Sequence, residues 1–163
     1  MKLLEAIGQA FQHVKSPSPH ELRALMQQLD MNPEEVSSYV EEPSCLPYGR
    51  TVLFRSDEVE VILIHLPAGR ETYIHDHGAS EGCALVLEGQ LTNRHYRLGT
   101  GGYAYESGAS IVKANQFMYA PTGQIHQMCN EGKERVVSLH AYTPVMKDTK
   151  IYATYEQVLD YVI

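Results

Sequence analysis

The first forty or so residues carry apolar side chains at the spacing of amphipathic helices. One set recurs every three or four positions until Ser16-Pro17 ends the segment: Leu3, Leu4, Ile7, Ala10, Phe11 and Val14. Ser18-Pro19-His20-Glu21 forms a capping box with proline at the first helical position, which predicts the start of a second helix. Asn32-Pro33 gives the same start signal for a short third helix. We therefore predict a helical cap over residues 1–43, packed on the remainder of the chain.

From about Thr51 onward the pattern changes to short apolar segments separated by glycine, proline and asparagine. Residues 59–66 predict a buried strand, and Glu88-Gly89-Gln90 predicts a tight hairpin between the two strands that flank it. The remaining strands are expected at residues 82–87, 91–98, 109–113, 117–119, 125–129 and 136–142. Many short strands after a helical start are typical of a closed antiparallel barrel.

The pattern therefore predicts a mainly β protein with an N-terminal helical cap, in a single domain over residues 1–163. The barrel core is expected at residues 48–145. The C-terminal segment, residues 146–163, is expected to form a short helix or strand against the barrel.

Composition narrows the class of protein. With 163 residues, 44% hydrophobic and 20% charged, the chain is an ordinary soluble globular protein. A net charge of −7 argues against a broad nucleic-acid or anionic-membrane surface. Cys45, Cys83 and Cys129 are scattered without a CxxC pair, which predicts neither a disulfide framework nor a thiolate zinc site. Without a signal peptide or transmembrane run, we expect a cytoplasmic monomer or small homo-oligomer.

Two histidine motifs indicate a metal site. His75-Asp76-His77 places two imidazoles on one face if the segment is extended, although a solvent-facing pair is the alternative for this motif alone. Residues 121–130 contain P-x-G-x-x-H-x-x-x-N, which adds His126. These two blocks resemble the paired motifs of the cupin superfamily, a family of small β-barrels. In that family the first block supplies two histidines and often a glutamate, and the second supplies another histidine.

The glutamate of the cupin pattern is displaced in this chain. If Gly89 fixes the register, the usual glutamate position falls on Gly82, and Glu81 is one residue off. A one-residue slip reverses the face of a side chain, so we expect three histidine ligands, with Glu81 as fourth ligand as the alternative. Imidazole suits Fe, Zn, Ni and Cu, and its neutrality leaves the ion its full charge, which favours an anionic ligand such as a thiolate.

Two further segments narrow the resemblance. Tyr48-Gly49-Arg50 precedes the first barrel strand, and Ser138, His140 and Tyr142 alternate along one strand and therefore share a face. Together with the histidine motifs, they closely resemble the cysteine dioxygenases, iron(II) cupin enzymes that oxidise L-cysteine with O₂ to cysteine sulfinate.

The resemblance implies a role for each matching residue. His75, His77 and His126 would hold Fe(II), with Zn or Ni as substitutes in purified protein. Arg50 would bind the substrate carboxylate through a two-pronged hydrogen bond, and Tyr48 would line the same pocket. Ser138, His140 and Tyr142 would form a hydrogen-bonded relay whose tyrosine faces the substrate, and the Thr143-Pro144 bond is expected to be cis. Judged from the residues alone, a satisfied core network is the alternative for this relay.

One feature of the animal enzymes is absent. Their relay tyrosine is thioether-linked to a cysteine at the position that Gly82 occupies here. Because Cys83 is one residue further along the strand and should face away, we predict no crosslink to Tyr142. Bacterial members commonly have glycine at this position, which suggests a bacterial source.

Other functions stay open at this point. Relatives that prefer another small thiol, 3-mercaptopropionate, typically have glutamine where Arg50 stands, so Arg50 favours L-cysteine. A cupin that binds a metal or ligand without turnover, as a sensor or storage module, is the alternative from a different class. An oriented tyrosine hydroxyl at residue 142 argues against it. The other histidines are expected to be structural or exposed: His13, His20, His65 and His95.

Overall fold

A computed structural model describes residues 2–162 and contains four α-helices and ten strands among them. The helices are α1 Lys2–Phe11, α2 Pro19–Gln27, α3 Pro33–Ser37 and α4 Tyr155–Val162. The strands are β1 Gly49–Arg55, β2 Glu60–Leu66, β3 Ile74–His75, β4 Glu81–Glu88, β5 Gln90–Leu98, β6 Ala104–Lys113, β7 Phe117–Ala120, β8 Ile125–Cys129, β9 Val136–Thr143 and β10 Ile151–Tyr152. No helix among these residues is long and apolar enough to cross a membrane.

The second and third helices, α2 and α3, begin where the capping signals predict. Ser18 accepts a hydrogen bond from the Glu21 amide while the Glu21 carboxylate accepts one from the Ser18 amide, which completes the capping box. The side chain of Asn32 accepts from the first-turn amides of α3 in the same way. The helical cap is therefore confirmed.

The strands form two antiparallel five-stranded sheets that face each other. The order is β1-β2-β9-β4-β7 in the first sheet and β10-β3-β8-β5-β6 in the second. The predicted mainly β barrel is confirmed. Two strands extend beyond their predictions, since β1 already includes Gly49 and Arg50 and β6 begins at Ala104.

The predicted hairpin across Gly89 is wrong. β4 pairs with β7 and β9 in the first sheet, whereas β5 pairs with β6 and β8 in the second. Gly89, with φ of 83°, turns the chain from one sheet into the other. A Cβ here would lie 2.4 Å from the Arg135 carbonyl oxygen, so only glycine fits this close approach. A positive-φ glycine between two strands is common to hairpins and sheet crossings, and the local sequence does not distinguish them.

The helical cap gives the first sheet a second buried face. Along β9, Val137, Leu139 and Ala141 pack outward against the helices, while the alternate residues face the barrel interior. The helices contribute the following side chains to this outer core: Leu3, Ile7, Phe11, Leu22 and Met26. Both faces of β9 are buried, so its polar inward side chains lie in a water-poor interior.

The C-terminal segment supplies both a strand and a helix. β10 pairs with β3, placing Ile151 opposite His75 and Tyr152 opposite Ile74. α4 follows at once. The segment therefore adds an edge strand beside the first histidine motif.

Candidate metal centre

Three histidines converge inside the barrel. His75 on β3 lies directly opposite His126 on β8, and His77 follows two residues later. Their potential ligand atoms lie within 4.8 Å of one another, and the Nε2 atoms of His77 and His126 are 3.2 Å apart. The structure therefore brings together the three residues predicted as metal ligands.

Neighbouring oxygens fix which nitrogen of two rings carries the proton. His75 Nδ1 donates to the Tyr73 carbonyl at 2.7 Å, and His126 Nδ1 donates to Asn93 Oδ1 at 2.8 Å. The Nε2 lone pairs of both rings are consequently free. His77 Nδ1 is buried without a hydrogen-bond partner among the described residues.

The histidine cluster fits a metal cation. Burial lowers the pKa of His77 to about 4, that of His126 well below its ordinary value, and that of His75 in the same direction. The 3.2 Å between His77 Nε2 and His126 Nε2 fits either an N–H···N hydrogen bond donated by His77 or two lone pairs that bind one cation. Three neutral nitrogen donors suit a divalent ion such as Fe(II), Zn(II) or Ni(II). Three protein ligands would leave coordination positions on the ion open for other groups.

Glu81 is not part of the donor set. The group of ligand-type side chains found among residues 2–162 contains the three histidines alone. Gly82, its neighbour on β4, is paired with Tyr142 and faces the interior, so the Glu81 side chain belongs to the other side of the strand. The expected displacement of the usual carboxylate ligand is thus seen.

Asp76 ties the histidine loop to the C-terminal segment. Its carboxylate accepts hydrogen bonds from the backbone amides of Gly78 and Lys150 and from the Tyr152 hydroxyl. These contacts hold the loop between His75 and His77 against β10. Sequence reasoning missed this role, because the two partners in the C-terminal segment lie more than seventy residues away.

A cavity of about 310 Å³ opens beside the histidines. Tyr48 and Arg50 line one side, and His140 and Tyr142 line another. The C-terminal segment contributes Met146, Lys147, Thr149 and Ile151 to the wall. Such a volume is at the low end for ligand pockets and suits a small molecule.

The predicted relay is connected and buried. The Ser138 hydroxyl is 2.7 Å from His140 Nε2, and His140 Nδ1 is 3.0 Å from the Tyr142 hydroxyl. That hydroxyl lies 3.5 Å from His77 Nε2. Burial lowers the pKa of His140 to about 3 and raises the pKa of Tyr142, so the ring is neutral and the phenol keeps its proton at neutral pH.

Gly82 leaves room for the ring of Tyr142. A Cβ built at Gly82 would lie 2.5 Å from Tyr142 Cδ1, whereas Cys83 packs in the outer core against the cap. The prediction that Cys83 faces away from Tyr142 is confirmed. The Thr143-Pro144 bond is cis, as expected.

Two polar residues that hold site residues in place were not foreseen. Asn93 orients His126, and Glu60, only 1% exposed, binds Arg50 and Arg55. The sequence did offer one signal for Glu60, because a carboxylate at the start of the apolar run 60–66 is unusual in a buried strand. Among the other histidines, His65 is buried and donates to the Glu41 carbonyl, which fits a structural role.

Comparison with known proteins finds similarity over most of the chain. The model of the family described as cysteine dioxygenase type I matches residues 2–155. Among solved structures, an uncharacterized conserved protein with a double-stranded beta-helix domain from Klebsiella pneumoniae subsp. pneumoniae gives a TM-score of 0.58 at 22% identity, covering 78% of this chain and 98% of that one.

Two further solved structures share the fold. A predicted oxalate decarboxylase from Thermotoga maritima gives a TM-score of 0.53 at 16% identity, covering 68% of this chain and 96% of that one. The Cnp3 cupin domain of Schizosaccharomyces pombe gives 0.51 at 13% identity, covering 73% and 71%. At these identities the likeness shows the cupin fold alone.

Proposed function

Because the chain belongs to the cysteine dioxygenase type I family, we propose that it oxidises the thiol of L-cysteine with O₂ to the sulfinate. Both oxygen atoms of O₂ end on sulfur, which loses four electrons while O₂ gains four, so no external reductant is consumed. His75, His77 and His126 would hold Fe(II), which when bound supplies the redox chemistry that lets O₂ react with a thiolate.

Arg50 and Tyr48 support a carboxylate-bearing substrate. Arg50 lines the cavity, and among residues 2–162 its guanidinium makes one side-chain hydrogen bond, from Nη2 to Glu60, so four of its five N–H groups are left for a ligand. A carboxylate can accept two parallel hydrogen bonds from one edge of a guanidinium. With its carboxylate at Arg50, a short amino acid reaches back toward the histidines with its thiol.

The relay supports proton donation toward the reacting sulfur. With the proton on His140 Nδ1, this ring donates to the Tyr142 oxygen and accepts from the Ser138 hydroxyl at Nε2. The phenolic proton of Tyr142 is then free to point into the cavity. A fixed donor next to developing negative charge lowers the barrier because it needs no reorganisation during the reaction.

The observation that carries the proposal is the distance between the relay and the metal ligands. The Tyr142 hydroxyl is 3.5 Å from His77 Nε2 in a closed, buried network. A cupin that only binds a metal has no need of a neutral phenol aimed at the ligand side of the site. The non-catalytic alternative therefore accounts for less of the structure.

Oxygen consumption by iron-loaded protein tests the proposal. We expect uptake that depends on L-cysteine, one O₂ per thiol consumed, and a product 32 mass units heavier than cysteine. Uptake with 3-mercaptopropionate in preference to L-cysteine would reassign the substrate, and no thiol-dependent uptake at all would favour the binding protein.

The Arg50→Ala variant separates substrate binding from metal binding. We expect a KM for L-cysteine raised at least about tenfold with unchanged iron content, because a charge-assisted pair is lost while the histidines are untouched. An unchanged KM would remove Arg50 from the proposed site.

The proposal also includes a cytoplasmic location and a monomeric or small homo-oligomeric state.

A further inference from the structure

Glu60 is a buried carboxylate that the proposed reaction does not use. It lies on the interior face of β2 with Ile62 and Ile64, directly across from Tyr142 on β9. Its side chain is 1% exposed. Burying a carboxylate in an apolar barrel is unfavourable unless cations compensate it, so its partners indicate its purpose.

A β-bulge brings two arginines to Glu60. Arg50 and Arg55 are five residues apart and would face opposite sides of a regular strand. The register of β1 shifts between Val52 and Phe54, and Leu53 and Phe54 both pack toward the cap. One extra residue reverses the alternation, which returns Arg55 to the face of Arg50.

Each carboxylate oxygen of Glu60 serves one arginine. Oε1 accepts from Arg50 Nη2 at 2.5 Å, and Oε2 accepts from Arg55 Nε at 2.6 Å and from Arg55 Nη2. Arg50 is 28% exposed and Arg55 is 55% exposed. Arg50 therefore lies between the buried anchor and the cavity, while Arg55 lies toward solvent.

We infer that Glu60 is a positioning residue that gives the site its preference for substrates with a carboxylate. It holds Arg50 by one N–H of Nη2, so that the other N–H groups of the guanidinium stay available to the cavity. Without this anchor the long side chain can turn to solvent, and the hydrogen bonds to a substrate would no longer be preorganised. This inference rests on the proposed function, because it needs Arg50 as the carboxylate-binding group.

Paired variants separate positioning from folding. Glu60→Met and Glu60→Ala cannot accept a hydrogen bond, whereas Glu60→Gln keeps an oxygen for Arg50 and leaves Arg55 free to move into solvent. Glu88→Gln is the matched control, because it removes a carboxylate charge from an arginine pair, with Arg135, that lies outside the cavity. Melting temperatures of all four variants report folding.

The measurement is anaerobic calorimetric binding of L-cysteine and of cysteamine, which lacks the carboxylate, to metal-loaded protein. In Glu60→Met we expect the Kd for L-cysteine to rise about tenfold and that for cysteamine to change less than about twofold. Glu60→Gln should stay within about threefold of wild type for both ligands. Under turnover, Glu60→Met should raise the KM for L-cysteine and leave kcat unchanged.

The folding and ligand preference of these variants decide the inference. Loss of preference for L-cysteine in a folded apolar variant, with recovery in Glu60→Gln, supports it. Equal weakening of both ligands, or no weakening, overturns it. Failure of both apolar variants to fold also overturns it, because Glu60 would then serve stability alone. Wild-type protein without preference for L-cysteine over cysteamine contradicts the proposed function itself, which separates the two failures.

Discussion

At the residue scale, the site depends on where single protons lie. Hydrogen bonds to carbonyl-type oxygens place the protons of His75 and His126 on Nδ1 and turn their Nε2 lone pairs inward. Burial keeps His140 neutral and Tyr142 protonated, as their pKa shifts indicate. The site therefore has unprotonated histidine Nε2 atoms on one side and the Tyr142 hydroxyl, a proton donor, on another.

The Tyr142→Phe variant tests the donor. We expect kcat to fall about tenfold to a hundredfold with little change in the Kd for L-cysteine, because the hydroxyl acts on developing charge rather than on the bound ground state. Steady-state oxygen uptake and anaerobic binding measure the two quantities. A Kd that rises while kcat stays unchanged would mean that the hydroxyl only holds the substrate.

The sequence predicted the roles of some site residues but not of others. Motif spacing predicted that the three histidines form one cluster, and alternation along β9 predicted that the relay residues share a face, whereas their roles as ligands and relay are what the resemblance to the cysteine dioxygenases implies. Glu60 and Asn93 could not be assigned roles, because these depend on a bulge in β1 and on the pairing of β5 with β8. Contacts of this kind join distant segments and leave no local signal.

At the element scale, β4 and β9 position the relay tyrosine through their directly opposed residues. Gly82 on β4 is paired with Tyr142 on β9, and the missing side chain makes room for the aromatic ring. Sequence reasoning succeeded at the start of β4 and failed at its end. Alternation along β4 correctly predicted that Cys83 faces away. The predicted hairpin after β4 is wrong, because a glycine such as Gly89 occurs both in hairpins and where a chain crosses between sheets.

The Gly82→Ala variant tests this close approach. The new methyl would lie 2.5 Å from both Tyr142 Cδ1 and the Ala141 carbonyl oxygen, and we expect unfolding free energy to fall by about 2–3 kcal/mol with most activity lost. Gly108→Ala on β6 is the matched control, since its Cβ meets nothing within 4 Å and should change stability by less than about 0.5 kcal/mol. Equal unfolding curves for the two variants would contradict the proposed packing.

At the scale of the whole molecule, the helical cap and the second sheet enclose a group of neutral histidines. The cap covers the outer face of the sheet that carries the relay, and its inner face is buried in the barrel interior. His140 is 1% exposed, and its pKa of about 3 lies well below that of an unfolded chain, about 6.5. The unfolded state therefore binds this proton first as the pH falls.

Acid should destabilise the metal-free protein through this linkage. The stability contributed by neutral His140 is present above pH 6.5 and is lost as the pH falls toward 3, by about 2 kcal/mol between pH 7 and pH 5. Urea unfolding at both pH values should show that His140→Gln loses less stability than wild type by about that amount. The exposed His13→Gln serves as control, and equal losses in all three proteins would contradict the effect.

Metal titration of the three single histidine variants tests the central claim most directly. We expect wild-type protein to bind one Fe(II) per chain under anaerobic conditions, and His75→Ala, His77→Ala and His126→Ala each to bind at least about a hundredfold more weakly. His95→Ala is the matched control, because His95 lies directly opposite His126 on β5 but outside the ligand group, and it should bind like wild type. Wild-type affinity in His126→Ala, or equal loss in His95→Ala, would contradict a metal centre built from these three rings.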